Sequence, residues 1–181
     1  VSSAASDVYK RQVVIVFNRF ANFPIPIKVI LVGLLIASPW LIVQIGIFVL
    51  APDSEFSSMP ICETTSGNCA HLGGGDDYRL EENYPTLLNA SAESTYENLL
   101  SYIEENDLKV LIDQQKQSSF YVHFVETTSF WQFPDDVVVN IQQTNDGCLI
   151  EIHSESRLGW GDLGLNAERI DRIYQELLPD S

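Results

Sequence analysis

Positive charge is scarce in this chain: ten Lys and Arg stand against 25 Asp and Glu among 181 residues. A protein that neutralises phosphates needs a basic face, so this balance argues against nucleic acid as a partner. The few cations are also unevenly spread. Residues 1 to 50 hold Lys10, Arg11, Arg19 and Lys28 against Asp7 alone, so the net −15 divides into +3 before Ala51 and −18 after it. Cysteine and histidine number three each. No C-x-x-C pair, H-x-x-x-H helix, phosphate-cradling loop or nucleophile elbow is present, and no cofactor is indicated. An initiator Met is also missing. The opening VSSAASDVYKRQ resembles a translated adapter tail, so Val1 to Gln12 are expected to be foreign and the true start to lie elsewhere.

What is abundant is apolar sequence in one place. Val29 to Leu50 reads VILVGLLIASPWLIVQIGIFVL, 22 residues without a charge. At about 1.5 Å per residue such a helix covers the roughly 30 Å hydrocarbon core of a bilayer. Ser38 and Gln44 are its polar interruptions, and Pro39 removes one backbone donor, a defect that neighbouring groups in membrane helices make good. A cleaved signal peptide competes with this reading. The run exceeds the usual apolar region of about 7 to 15 residues, however, and Pro52 would follow directly on a cut at Ala51. No lipid-acceptor Cys follows the run. Arg19 and Lys28 precede the helix and Asp53 and Glu55 follow it, which puts the N-terminus in the cytoplasm and the remainder outside. Upstream, Val13 to Phe17 reads equally as the end of a truncated apolar segment or as an amphipathic approach to the membrane.

Four stretches follow from this reading: an N-terminal segment 1–28, a membrane helix 29–50, an irregular tether 51–85 and an α+β domain 86–181. The tether is rich in Ser, Pro, Gly and Asp and holds Cys62 and Cys69. Outside the cytoplasm these two can close a small disulfide loop. A zinc site with His71 is the rival, short of a fourth ligand. Cys148 falls in a strand-like run and reads as a small buried residue.

From Ser91 to about Asn106, apolar residues at Ala92, Tyr96, Leu99, Leu100 and Ile103 mark a helix, and Ser94 with Glu97 has capping-box spacing. Strand-like runs follow at 109–113, 119–127, 137–143 and 148–154, the last two joined by a hairpin turn at Thr144 to Gly147. A last helix begins near Asn166, with Ile170, Ile173, Tyr174 and Leu177 on one face. Without crossover helices between strands, the expected fold is an antiparallel sheet of about four strands flanked by two helices.

The segment SESRLGWGDLGLN, Ser154 to Asn166, followed by Arg169, resembles the signature of the domain of unknown function 1499 family. So do Phe133-Pro134-Asp135-Asp136 before a strand, the stretch from Cys62 to Asn68-Cys69, and Tyr121-Val122-His123. The likeness runs from about Cys62 to Leu178. It departs at Ala70-His71, where the family usually continues with Val and Ser, so roles of hydroxyls there do not carry over. The resemblance implies a bacterial or plastid-type protein, often membrane-associated, and brings no reaction with it.

The Gly-punctuated loop gathers polar side chains at a helix start. The candidate ligand-binding residues are Asp135, Asp136, Ser154, Ser156, Arg157, Asp162, Asn166 and Arg169. Asn166 can cap the helix, and free amide donors there can receive an anion. The bland alternative is a polar staple in which Arg157 pairs with Asp162 or Asp135. Asp135 and Asp136 are adjacent in an extended segment, so they face opposite sides and do not share a proton or a metal. His123 and His153 read as satisfied sheet residues. The leading expectation is a membrane-anchored envelope domain that binds a small ligand, a lipid headgroup or a protein partner. The alternatives are a hydrolase-like enzyme, with Asp135 or Asp136 as base and Arg157 or Arg169 holding an anionic substrate, and a purely structural subunit of a membrane complex.

Overall fold

The computed structural model describes residues 2–179, so Val1 of the adapter-like stretch lies outside the described residues. The chain separates into two compact units near Ile45. In the first, helix α1 spans Ser2–Ala21 and stops before Pro24, and Lys28 Nζ donates to the Ala21 carbonyl at 2.8 Å. Helix α2 (Ile25–Leu50) has no buried residue. It is the one described helix long and apolar enough to cross a membrane, which a signal sequence would be as well. Pro39 cannot donate to the carbonyl of Leu35, four residues back. Ser38 Oγ donates to that carbonyl at 2.8 Å instead, so the polar residue beside the proline repairs the gap it makes.

The second unit is the α+β class expected. Its remaining elements are β1 (Cys69–Leu72), β2 (Leu87–Leu88), α3 (Ala92–Glu105), β3 (Lys109–Lys116), β4 (Ser119–Thr127), β5 (Pro134–Thr144), β6 (Gly147–Ser156) and α4 (Leu165–Leu177). The strands form one antiparallel sheet in the order β1-β6-β5-β4-β3, with β2 beside β1 on the edge of β6. The four strands expected are all present. β1 comes from the span 51–85 whose composition reads as a tether, and β2 lies just past it; four and two residues are too few for a period to show. Helix α3 starts at Ser91, whose hydroxyl accepts from Ser94 N at 3.1 Å. The capping-box spacing of Ser94 and Glu97 therefore falls inside the helix, one turn late.

Alternation divides the sheet into two faces. Val122 and Phe124 of β4, Val137, Val139 and Ile141 of β5, Ile150 and Ile152 of β6, and Ala70 and Leu72 of β1 meet the apolar sides of α3 and α4 in a single core. The opposite face carries His71, His153 and His123 in cross-strand register around Val138. Over this second face runs a strap of chain, residues 51–62. Phe56 stacks on the His123 ring at 4.9 Å between centroids, and Tyr121 donates to the Phe56 carbonyl at 2.6 Å. Cys62 ends the strap in a disulfide to Cys69 on β1.

Candidate functional site

The eight candidate residues form two sets on the two faces of the sheet. On the helix side, Asp135 is buried and accepts from Arg169 Nη2 at 2.5 Å. Arg169, from the first turns of α4, also donates to Ser154 Oγ at 3.0 Å and Asn166 Oδ1 at 2.8 Å. Ser154 donates to the same Asn166 oxygen at 2.6 Å, and the Asn166 amide donates to Ser156 Oγ and to the Asn68 carbonyl. Burial pushes the Asp135 carboxyl above its ordinary range, and Arg169 does not fully offset it.

At the start of α4 the cap is the carboxylate of Asp162. It accepts from Gly164 N at 3.1 Å and Asn166 N at 2.9 Å. Asn166 does not cap, because its side chain turns inward to the sheet. The amides expected to receive an anion are therefore occupied by a carboxylate from the chain itself. Arg79 closes the other side of Asp162 at 2.6 Å and donates to the Cys69 carbonyl. Burial raises the Asp162 carboxyl, but Arg79 and the two backbone amides outweigh it and hold it below the usual value.

On the strap side, Arg157 meets Asp136 as a parallel fork, Nε to Oδ2 at 2.7 Å and Nη2 to Oδ1 at 2.6 Å. Its third nitrogen donates to Asp53 at 2.8 Å and toward the Ala51 carbonyl at 3.4 Å. The partner of Arg157 is therefore neither Asp162 nor Asp135. Arg79 has taken the first, and the second faces the helices. Asp136 also accepts from His123 Nε2 at 2.8 Å, while His123 Nδ1 accepts from Phe56 N at 3.2 Å. These two bonds fix the imidazole as the neutral form with its proton on Nε2. Burial raises the Asp136 carboxyl, yet Arg157 and His123 prevail and keep it ionised below its ordinary value.

Farther across the same face, His71 Nδ1 and His153 Nδ1 lie 3.3 Å apart, with Glu151 and Glu155 on their outer nitrogens. Burial and the neighbouring ring hold His71 below the usual histidine value. Among the described residues no group of three His, Cys, Asp or Glu side chains is arranged to hold a metal. The disulfide takes up two of the three ligands of the zinc alternative.

A pocket of about 540 Å³ opens beside Arg157. Leu50, Ala51, Pro52, Ser54 and Phe56 line one side, and Asn68, Asp136, Glu155, Ser156, Arg157 and Gly159 the other. Three of the eight candidates reach it: Asp136, Ser156 and Arg157. The other five are committed to the polar set beneath α4. Glu155 and the strap residues escape a reading based on the loop alone. Alternation between Ser154 and Ser156 is the signal that puts Glu155 on the same face as Asp136, its register partner.

The model of the family described as protein of unknown function (DUF1499) matches residues 55–177, more than half of the chain. The chain belongs to this family. The match covers both polar sets and all but the first residues of the strap, so the DUF1499 domain comprises the whole sheet with both of its helices. No curated protein matches the chain.

Proposed function

We propose that this DUF1499 protein is a single-pass membrane protein, N-terminus in the cytoplasm, whose outer domain binds a small cationic ligand in the pocket beside Arg157. The observation that carries the ligand class is the pocket's charge. Asp136, Glu155 and Arg157 line it, and the Arg157 guanidinium already faces two carboxylates, Asp136 and Asp53. An incoming anion would find no spare cation there. Glu155, partly open to solvent and only 3.3 Å from an imidazole nitrogen, is the accessible charge, with the Phe56 ring opposite to receive an amine.

The hydrolase-like alternative needs Asp135 or Asp136 as a base, yet each is gripped by a guanidinium and they face opposite ways. His123 is fully buried under Phe56 with both nitrogens bonded. The polar sets themselves serve the fold, and recognition falls to the pocket wall.

Two measurements test the proposal. Ethanolamine and choline should raise the melting temperature of the full chain in lipid nanodiscs, and Glu155→Gln should abolish that rise. Stabilisation by inorganic phosphate or acetate and not by the amines would overturn the ligand class. A reporter fused after Ser181 that functions in the cytoplasm would overturn the topology.

A further inference from the structure

Two loops leave the sheet at the end where the chain arrives from the apolar helix. The β4–β5 loop, residues 128–133, and the β6–α4 loop, residues 157–164, leave the sheet side by side: Arg157, the first residue of the second, donates from its N to the carbonyl of Pro134, which opens β5 directly after the first, at 3.2 Å. The side chain of the same Arg157 bonds Ala51, the residue after α2 ends, and Asp53. At the tips of these loops large apolar side chains stand in solvent: Trp160 is 100% exposed, Leu163 99% and Phe130 67%. Folding of the domain gains nothing from burying Trp160 and Leu163, because they are not buried.

Two more observations separate this surface from ordinary loop exposure. Residues 128–133 carry no charge, and in residues 158–165 the one charged side chain, Asp162, is buried against Arg79. The tips are thus uncharged in a region whose net charge is −18. Each loop also holds a non-glycine residue at positive φ, Gln132 and Leu163, both at 56°. L side chains rarely adopt that conformation, and here it occurs beside Trp131 and at the exposed Leu163 itself.

We propose that these tips rest in the interfacial layer of a bilayer of zwitterionic lipids, the bilayer that α2 spans. The inference rests on the membrane anchoring proposed above. Trp is the side chain that prefers this layer, with its apolar body among acyl chains and its N–H among headgroups. Only Ala51 and Pro52 lie between the end of α2 and Asp53, so the loop end of the domain is held close to the point where the chain leaves the membrane. The acidity of the domain disfavours an anionic leaflet, which selects the zwitterionic one.

The test uses the full chain in phosphatidylcholine vesicles whose acyl chains carry bromine, a short-range quencher of Trp emission. Trp40→Phe with Trp131→Phe leaves Trp160 as the reporter, and Trp131→Phe with Trp160→Phe leaves Trp40. Brominated lipid is expected to quench both reporters, and Trp160 should be shielded from acrylamide in the water. If Trp40 is quenched and Trp160 is instead open to acrylamide, the docking fails and the anchoring stands. If neither is quenched by lipid, the anchoring fails and the docking with it. Trp160 shielded from acrylamide yet untouched by bromine would mean that protein covers the tip, which also overturns the inference.

Discussion

Asp135 and Asp136 are neighbours in β5 and are held from opposite faces of the sheet, Asp135 by Arg169 of α4 and Asp136 by Arg157 at the end of β6. The strand's two-residue period turns one acidic dipeptide into two separate anchors. Asp135 fastens the sheet to the helix layer. Asp136, through Arg157 and His123, fastens it to the strap. The polar residues of the family signature thus tie three layers together.

Removing Arg157 leaves the Asp136 carboxylate, 1% exposed, with His123 as its remaining partner, and leaves Asp53 held to the sheet by Lys109 of β3. Arg157→Ala is expected to cost about 3 kcal/mol, the usual scale for breaking a buried charge pair from one side. Arg157→Lys keeps the charge but not the planar fork, and should recover less than half of the loss. Arg172→Ala is the control, since that side chain is 49% exposed where it meets Glu126, and a change of about 0.5 kcal/mol is expected. Denaturant unfolding of the three variants decides this. An Arg157→Ala midpoint equal to wild type would show that the fork does not hold the strap.

Acid should expose the same anchors. Asp53, Asp136 and Asp162 have folded values below the ordinary 3.8, so the stability they contribute is present above that value and is lost as pH falls through their folded values. Asp135 runs the other way. Its raised value makes its contribution complete below 3.8 and lost as pH rises through the folded value. Asp136→Asn should therefore flatten the acid branch of the stability curve, and Asp135→Asn should not. Urea midpoints taken from about pH 3 to 6 measure both slopes, and an unchanged acid slope in Asp136→Asn would contradict the linkage.

Much of this fold was legible because its elements are periodic. The apolar stripe of α4, the hairpin at Asn145-Asp146 and the opposed carboxylates follow from spacing alone. The partners of those carboxylates do not. Arg157 was expected to meet Asp162 or Asp135, and it meets Asp136 and Asp53 instead. Asp53 lies 104 residues away in chain with no periodic signal. Arg79 is similarly hidden, in a glycine-rich run with no regular element around it, and Asp162 displaced Asn166 as the cap because a carboxylate reaches two amides at once. Long-range pairing depends on how the strap crosses the sheet, which local spacing does not encode.

Asp162 makes three bonds with one side chain, two to the first amides of α4 and one to Arg79. Asp162→Ala should cost about 2 kcal/mol, summing a lost cap and a part-buried guanidinium left unpaired. The loss should be local as well as global. Hydrogen exchange is expected to quicken first at the start of α4, before the β5–β6 amides change. Uniform quickening through the sheet would mean that the cap is not a separate element of stability.

The Cys62–Cys69 bridge fixes the far end of the strap to β1, on the strand next to β6, where Cys69 pairs with Glu155 two residues before Arg157. The two cysteines are seven positions apart in sequence, and closing a loop of that size removes unfolded-state freedom on the order of 2 to 3 kcal/mol. Cys62→Ser with Cys69→Ser should lower stability by about that much while leaving the helix-side core, and so the far-ultraviolet spectrum, unchanged. The compartment enters the same measurement. Protein taken from a cell in which the domain lies outside the cytoplasm should, when unfolded under alkylating agent without reductant, gain one adduct at Cys148. Three adducts on intact mass would place the domain in a reducing compartment and remove the disulfide from the native protein. One adduct together with a double-serine variant as stable as wild type would keep the bridge but shift the hold on the strap to Phe56, Asp53 and Arg157.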